Sequence, residues 1–337
     1  MSPSEYSNKS QFGLETPKRY ALASYYLFVL LSSLVGDTII LVASLKYRAL
    51  KLHPFITAVI HHIAVCDLMV SVVYVLPKFI AMVADGWLLG DALCFFTAYG
   101  TYYFSLAGLL FICTLTSGKL MIVRRPLRSS ALSRRKAHFC CAFLWVLSLT
   151  VPVIFLIVDS QDVWFDCRTS VCSYHFSSNR WELLKPIQFL TFMVIPNLIV
   201  ISVTVLLLIH LIKSRQHSKK CGGTQRWQGM MTALLTAIMY CISILPYAIY
   251  RIAESNYPDR QGFFHTDFLR LSGVCLSLNT ISNFYIYCLT VLSFREFLWC
   301  LLNGRSTVVV DRSVTHHVIS TRIFRGKKEE HLWNNTV

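Results

Sequence analysis

Seven apolar stretches, at residues 20–45, 55–83, 94–117, 137–158, 186–212, 230–250 and 268–291, dominate this 337-residue sequence. Each is long enough to supply the ~20 residues with which a helix crosses ~30 Å of hydrocarbon. Backbone groups in lipid must be satisfied within the span, so stretches of this kind can only be helices. The bulk numbers agree: mean hydropathy is +0.52, with 55% hydrophobic and 15% charged residues, too little charge to wet a soluble domain of this size. The expected fold class is an all-α membrane protein, a seven-transmembrane-helix bundle with no internal repeat.

The formal charge of +15 suggests nucleic acid until its distribution is examined. Segments 46–54, 118–136 and 213–229 carry fifteen basic residues and no acid, whereas 84–93, 159–185 and 251–267 carry nine acids against five bases. Basic loops are retained in the cytoplasm during insertion. The charge therefore reports topology, with the N-terminus extracellular and the C-terminus cytoplasmic in a multi-pass plasma-membrane protein, and nucleic acid is not an expected partner. Lys18 and Arg19, ahead of the first span, oppose that orientation weakly. The first nineteen residues are polar, so no cleavable signal peptide is visible, and the first span is read as its own signal anchor. On this topology Asn8-Lys9-Ser10 is a glycosylation sequon at Asn8 in the outer tail. Of twelve cysteines only Cys94, Cys167 and Cys172 fall in oxidising territory, so one of the three stays unpaired. The spacing of the cysteines and histidines resembles no zinc site, and no cofactor is implied.

Landmarks in every span resemble the rhodopsin-like (class A) G-protein-coupled receptors over about residues 20–302. The second span reads Ile63-Ala64-Val65-Cys66-Asp67-Leu68; Trp87 precedes Cys94 at the head of the third, which runs into Pro126-Leu127. Trp145 and Pro152, then Pro196, Leu245-Pro246-Tyr247, and Asn279, Asn283 and Tyr287 follow in the family's order. A lone Pro or Trp in an apolar helix is ordinarily a kink or packing. A buried Asp is costly, which points to function or pairing at Asp67. The resemblance implies a receptor passing an extracellular ligand's signal to heterotrimeric G proteins, with arrestin and membrane lipids as further partners and no enzymatic activity. It also implies a Cys94 bridge to the late cysteine of the second outer loop, Cys172 rather than Cys167, and G-protein contacts at Lys119, Arg124 and Tyr287. Ligand contacts are expected from Thr101, Tyr102, Ser105, Lys185, Gln188, Tyr247 and Arg251. Thr101 stands at the amine receptors' counter-ion position and Ser277 at the retinal-linking lysine's, so neither a biogenic amine nor retinal is the expected ligand.

The sequence departs from the family's inner motifs. Gly118-Lys119-Leu120 replaces DRY, Ile244 replaces the switch tryptophan, Phe284 the NPxxY proline and Thr204 the inner tyrosine of the fifth span. Arg226 stands where an acid commonly latches the resting state, so Lys119 and Arg226 are expected to repel each other. These changes keep open a different class of function, a non-coupling decoy, scaffold or receptor partner.

Asp37 follows Gly36 where the family has a neutral Asn. Two carboxylates in low dielectric cannot both ionise cheaply, so Asp37 and Asp67, with Asn279 and Asn283, are expected to share a proton or hold sodium, the only metal expected. A merely structural, protonated pair is the competing reading. Lys78, Lys185, Arg251 and Arg270 at the outer ends suit an anionic small molecule or lipid if they face the bundle. For Lys78 and Arg270 the favoured expectation is snorkelling to headgroups. The acidic outer loops argue instead for a basic peptide. Domain boundaries are expected at 1–19 (outer tail), 20–292 (receptor bundle), 293–302 (a short amphipathic eighth helix on the membrane surface, with Cys300 a palmitoylation candidate) and 303–337 (cytoplasmic tail).

Overall fold

The computed structural model describes residues 14–46, 52–124, 133–158, 163–167, 169–174, 190, 194–217, 224–256 and 263–303. Among the described residues each apolar stretch contains a helix. Helix α1 is Thr16–Leu45. Helix α2 runs in three consecutive segments, Pro54–Val70, Ser71–Val75 and Leu76–Ala84; α3 is Gly90–Arg124. Helix α4 comprises Arg134–Ser148 and Thr150–Val158, followed by strands β1, Val163–Asp166, and β2, Val171–Tyr174. Then come α5, Ile195–His217, α6, Thr224–Asn256, α7, Phe263–Thr290, and a short α8, Leu292–Leu302. Among the described residues five helices are long and apolar enough to cross a membrane, a sixth counts Thr266–Thr290 with the helix that follows, and Ile195–His210 is a shorter apolar helix. Large apolar side chains such as Phe139, Ile157 and Leu289 stay exposed, as lipid-facing residues must.

Helix starts follow local chemistry. Pro54 and Pro17 sit in first turns, where a missing N–H costs nothing. Ser133 caps α4, its hydroxyl accepting from Lys136 N at 3.3 Å. In α2 the segment Ser71–Val75 widens into a π-helical turn, with Leu76 N–H bonding back to Ser71 O. Pro77 follows immediately and cannot donate to the carbonyl four residues earlier, which locates the irregularity.

The chain divides into two compact units, residues 1–295 and 296–337. In the first, α6 packs chiefly on α7, and α2 on α3 and α1. Glycines permit close approach, at Gly36 and Gly118 most tightly. A β-carbon at Gly36 would lie 2.7 Å from the ring of Phe284, and one at Gly118 would lie 2.7 Å from the ring of Phe55. Tyr25 of α1 donates to the carbonyl of Val274 in α7 at 2.8 Å and meets Ser277 at 3.0 Å. Of the second unit, residues 296–303 are described, and they complete α8 and its end.

Two features differ from expectation. The segment after α4 contains an antiparallel hairpin, with Phe165 opposite Cys172, that sequence reasoning left as loop. Arg19, read from sequence as lying ahead of the first span, falls inside α1, where it is buried and pairs with Asp85 at the end of α2, 3.2 Å away.

Candidate functional site

At the Cys94 end of the bundle, Cys94 of α3 is bonded to Cys172 of β2, with their Cα atoms 5.3 Å apart. Cys167 is free and half-buried. The hairpin is thereby held on α3, and Trp87 stacks on Phe165 at 5.5 Å. Beneath it a narrow cleft of about 10 Å³ is lined by Tyr74, Pro77, Trp87, Thr97, Thr101 and Cys172, among others.

Beside that cleft lies a cation that the snorkelling expectation misplaced. Lys78 is 3% exposed. Its ammonium donates to Tyr74 Oη at 3.1 Å and lies 5.0 and 5.1 Å from the ring centres of Tyr26 and Tyr74. Gly273 of α7 leaves the room, because a β-carbon there would be 2.9 Å from Nζ. Among the described residues Lys78 has no carboxylate partner, whereas Arg270, also buried, pairs with Asp267 at 3.2 Å. The aromatic cage satisfies part of the ammonium's charge by cation–π attraction. Tyr26 and Tyr74 were missed from sequence, although Tyr74 and Lys78 stand at i,i+4 spacing on one helix face.

The other predicted ligand contacts are dispersed. Thr101 lines the cleft, with its hydroxyl on the carbonyl of Thr97 at 2.6 Å; Tyr102 and Tyr247 are half-buried and Ser105 is exposed. Lys185, Gln188 and Asn8 lie outside the described residues, as do the side chains of Arg226 and Arg251.

Midway along the bundle, Asp37 (0% exposed) and Asp67 (5%) lie near enough for charge on one to act on the other. Ser33 donates to Asp37 Oδ2 at 2.5 Å, and Ser71 donates to Ser33 at 2.6 Å. Asn283 Nδ2 donates to Asp67 Oδ2 at 2.8 Å. Three further oxygens, Asp37 Oδ1, Asn283 Oδ1 and the Tyr287 hydroxyl, are buried with no hydrogen-bond partner among the described residues. Such orphans are expensive in a dry interior and suit a shared proton or a hard cation, which takes oxygen ligands. Asn279 is half-buried and its side chain joins none of these bonds. Ser33 and Ser71 were not singled out from sequence.

At the opposite end Lys119 is buried, without a carboxylate partner among the described residues, and Arg124 is exposed. The buried hydroxyls of Thr204 and Thr236 also lack hydrogen-bond partners among the described residues. Between α6 and α7 the Thr232 and Thr290 hydroxyls meet at 2.8 Å.

Comparison with known proteins follows the same outline. The profile of the 7 transmembrane receptor (rhodopsin family) matches residues 36–294. The human uracil nucleotide/cysteinyl leukotriene receptor is 27% identical over 307 residues, covering 88% of this chain and 80% of that protein. The C-X-C chemokine receptor type 1 of Mus musculus is 24% identical over 328 residues, covering 91% and 88%. Pinopsin of Columba livia is 25% identical over 236 residues, covering 68% and 66%.

Proposed function

Because the chain belongs to the rhodopsin family of seven-transmembrane receptors, which signal through G proteins, we propose that its own ligand is an anionic small molecule or lipid. The observation that carries this reading is the caged Lys78, a buried ammonium among tyrosines with no carboxylate to neutralise it. Buried charges are ordinarily paired, so a carboxylate or phosphate entering at the Cys94 end gains a charge-assisted hydrogen bond there. One relative is named for uracil nucleotides and cysteinyl leukotrienes, and a nucleotide brings phosphate. The Cys94 end is then extracellular, in keeping with its disulfide and acidic loops, and the Lys119 end faces the cytoplasm and the G protein. Arrestin and membrane lipids are further partners of that face. Asp37, Asp67, Asn283 and Tyr287 would hold a sodium ion or one proton between them, which supplies the charge balance two carboxylates lack.

Full-length receptor in cells, challenged with nucleotides, lysolipids and fatty carboxylates across a G-protein panel, tests the ligand class. An anionic agonist should lose at least tenfold in potency on Lys78→Met and much less on Lys78→Arg. Equal potency in native and Lys78→Met receptor refutes the anion reading.

A second reading, a non-coupling partner or decoy, is favoured by one observation: Phe55 occupies the space where the family's inner acid would stand at Gly118. An agonist that binds purified receptor but activates no G protein in the panel would support it.

A further inference from the structure

Three side chains form a hydrogen-bonded chain between α2 and α4, apart from the sites above. Trp145 Nε1 donates to His62 Nδ1 at 3.2 Å, and His62 Nε2 lies 3.3 Å from His138 Nδ1. An indole only donates, so Nδ1 of His62 carries a lone pair and Nε2 carries its proton. That N–H points at Nδ1 of His138, which must accept. The bond directions are thus set from Trp145 outward, and both imidazoles are neutral at the nitrogens they share.

The surroundings offer little to a second proton. Among the described residues the titratable groups acting on His62 are His61 and His138, with no carboxylate. Phe111 of α3 stacks on the His62 ring at 5.6 Å, and His61 stands edge-on to it at 5.6 Å. From α1 comes the Ser44 hydroxyl, 2.9 Å from His61 Nδ1. On the next turns Cys66 of α2 and Cys141 of α4 are both buried.

We propose that this chain is a proton-operated clasp between α2 and α4, closed when neutral and opened by acid. A proton taken from solvent onto Nδ1 of His138 sets two N–H groups face to face. One taken onto Nδ1 of His62 does the same with the indole. Either event removes a direct interhelical bond, and His138 stands in the second turn of α4, near the start of that helix. An unperturbed imidazole titrates in the range near 6.5, and acidification across that range is the perturbation to apply.

The test uses purified full-length receptor in nanodiscs, with thermal unfolding read at about pH 7.5 and about pH 5.5, either side of that range. His138→Gln keeps an acceptor for His62 but does not titrate. On acidification the native protein should lose roughly 2–4 °C more than His138→Gln. Equal losses overturn the clasp, because every other titrating group is common to both. Should His138→Gln fail to fold, hydrogen exchange in the native protein decides. Backbone exchange over residues 134–148, corrected for intrinsic pH dependence, should quicken several-fold at the lower pH, and unchanged protection overturns the proposal.

Discussion

The ring of Phe55 lies on Gly118, with its Cε1 2.7 Å from where a β-carbon would stand. Phe284 bears on Gly36 in the same way. At Gly118 the space left by the departure from the family motif is filled by an aromatic of the neighbouring helix, and at Phe284 the departure is itself the aromatic and packs on a glycine, so both are packed rather than merely tolerated.

Restoring the family acid with Gly118→Asp alone should therefore cost about 1–3 kcal/mol through overpacking. Combined with Phe55→Ala it should cost less than the two changes summed, with a coupling of about 0.5–3 kcal/mol. Thermal or denaturant unfolding of the four proteins measures the cycle. Simple additivity would show that the contact carries no energy.

Asp37→Asn should separate the two carboxylates chemically. In the native protein sodium favours the doubly ionised pair and competes with the proton. Sodium should therefore raise thermal stability near neutral pH and do so less as pH falls. Asp37→Asn should lose that competition. Unfolding followed against pH and sodium checks it, and identical responses in both proteins would remove Asp37 from the site.

The Thr232–Thr290 contact stands where the usual acid-to-arginine latch has no acid. Thr232→Val gives up one hydrogen bond, about 0.5–1.5 kcal/mol. Basal G-protein activation should rise by about 2–10-fold, if that bond holds the resting state. A basal assay at matched surface expression reads this, and an unchanged basal rate would assign the latch elsewhere.

Peptide mapping without reduction should link Cys94 to Cys172 and leave Cys167 free. Cys172→Ser should cost about 2–4 kcal/mol, mainly by freeing the unfolded chain. Cys167→Ser should be close to neutral.

Hydropathy alone located the helices, because a span's length and apolarity are local properties. Asp37 and Asp67 were legible as a pair because a buried charge is costly wherever its helix is placed. Facing directions were not legible. Helices buried on one side and bathed in lipid on the other are apolar all round, so nothing in the pattern revealed that Lys78 and Arg270 point inward. The hairpin escaped because its strands are four residues each, with no Asn-Gly or Asp-Gly turn to announce it. Phe55 on Gly118, and His62 between Trp145 and His138, join residues 63 and 76 or more positions apart, visible only once the helices are packed.

The π-helical turn at Ser71–Val75 also sets which way the end of α2 is wound. Each residue of a regular helix advances roughly 100° about the axis, so a single surplus residue, if not absorbed locally, would turn everything beyond it by that angle. The widened turn takes up the surplus, and Lys78 comes to rest against α1 and α7. Deletion of the exposed Val72 should therefore be well borne, the turn tightening to an ordinary one while the ammonium keeps its bearing. Forcing a regular helix without the deletion would swing Lys78 out of register with Tyr26. The reach of the caged Lys78 into the bundle thus depends on a single residue of slack in the helix that carries it.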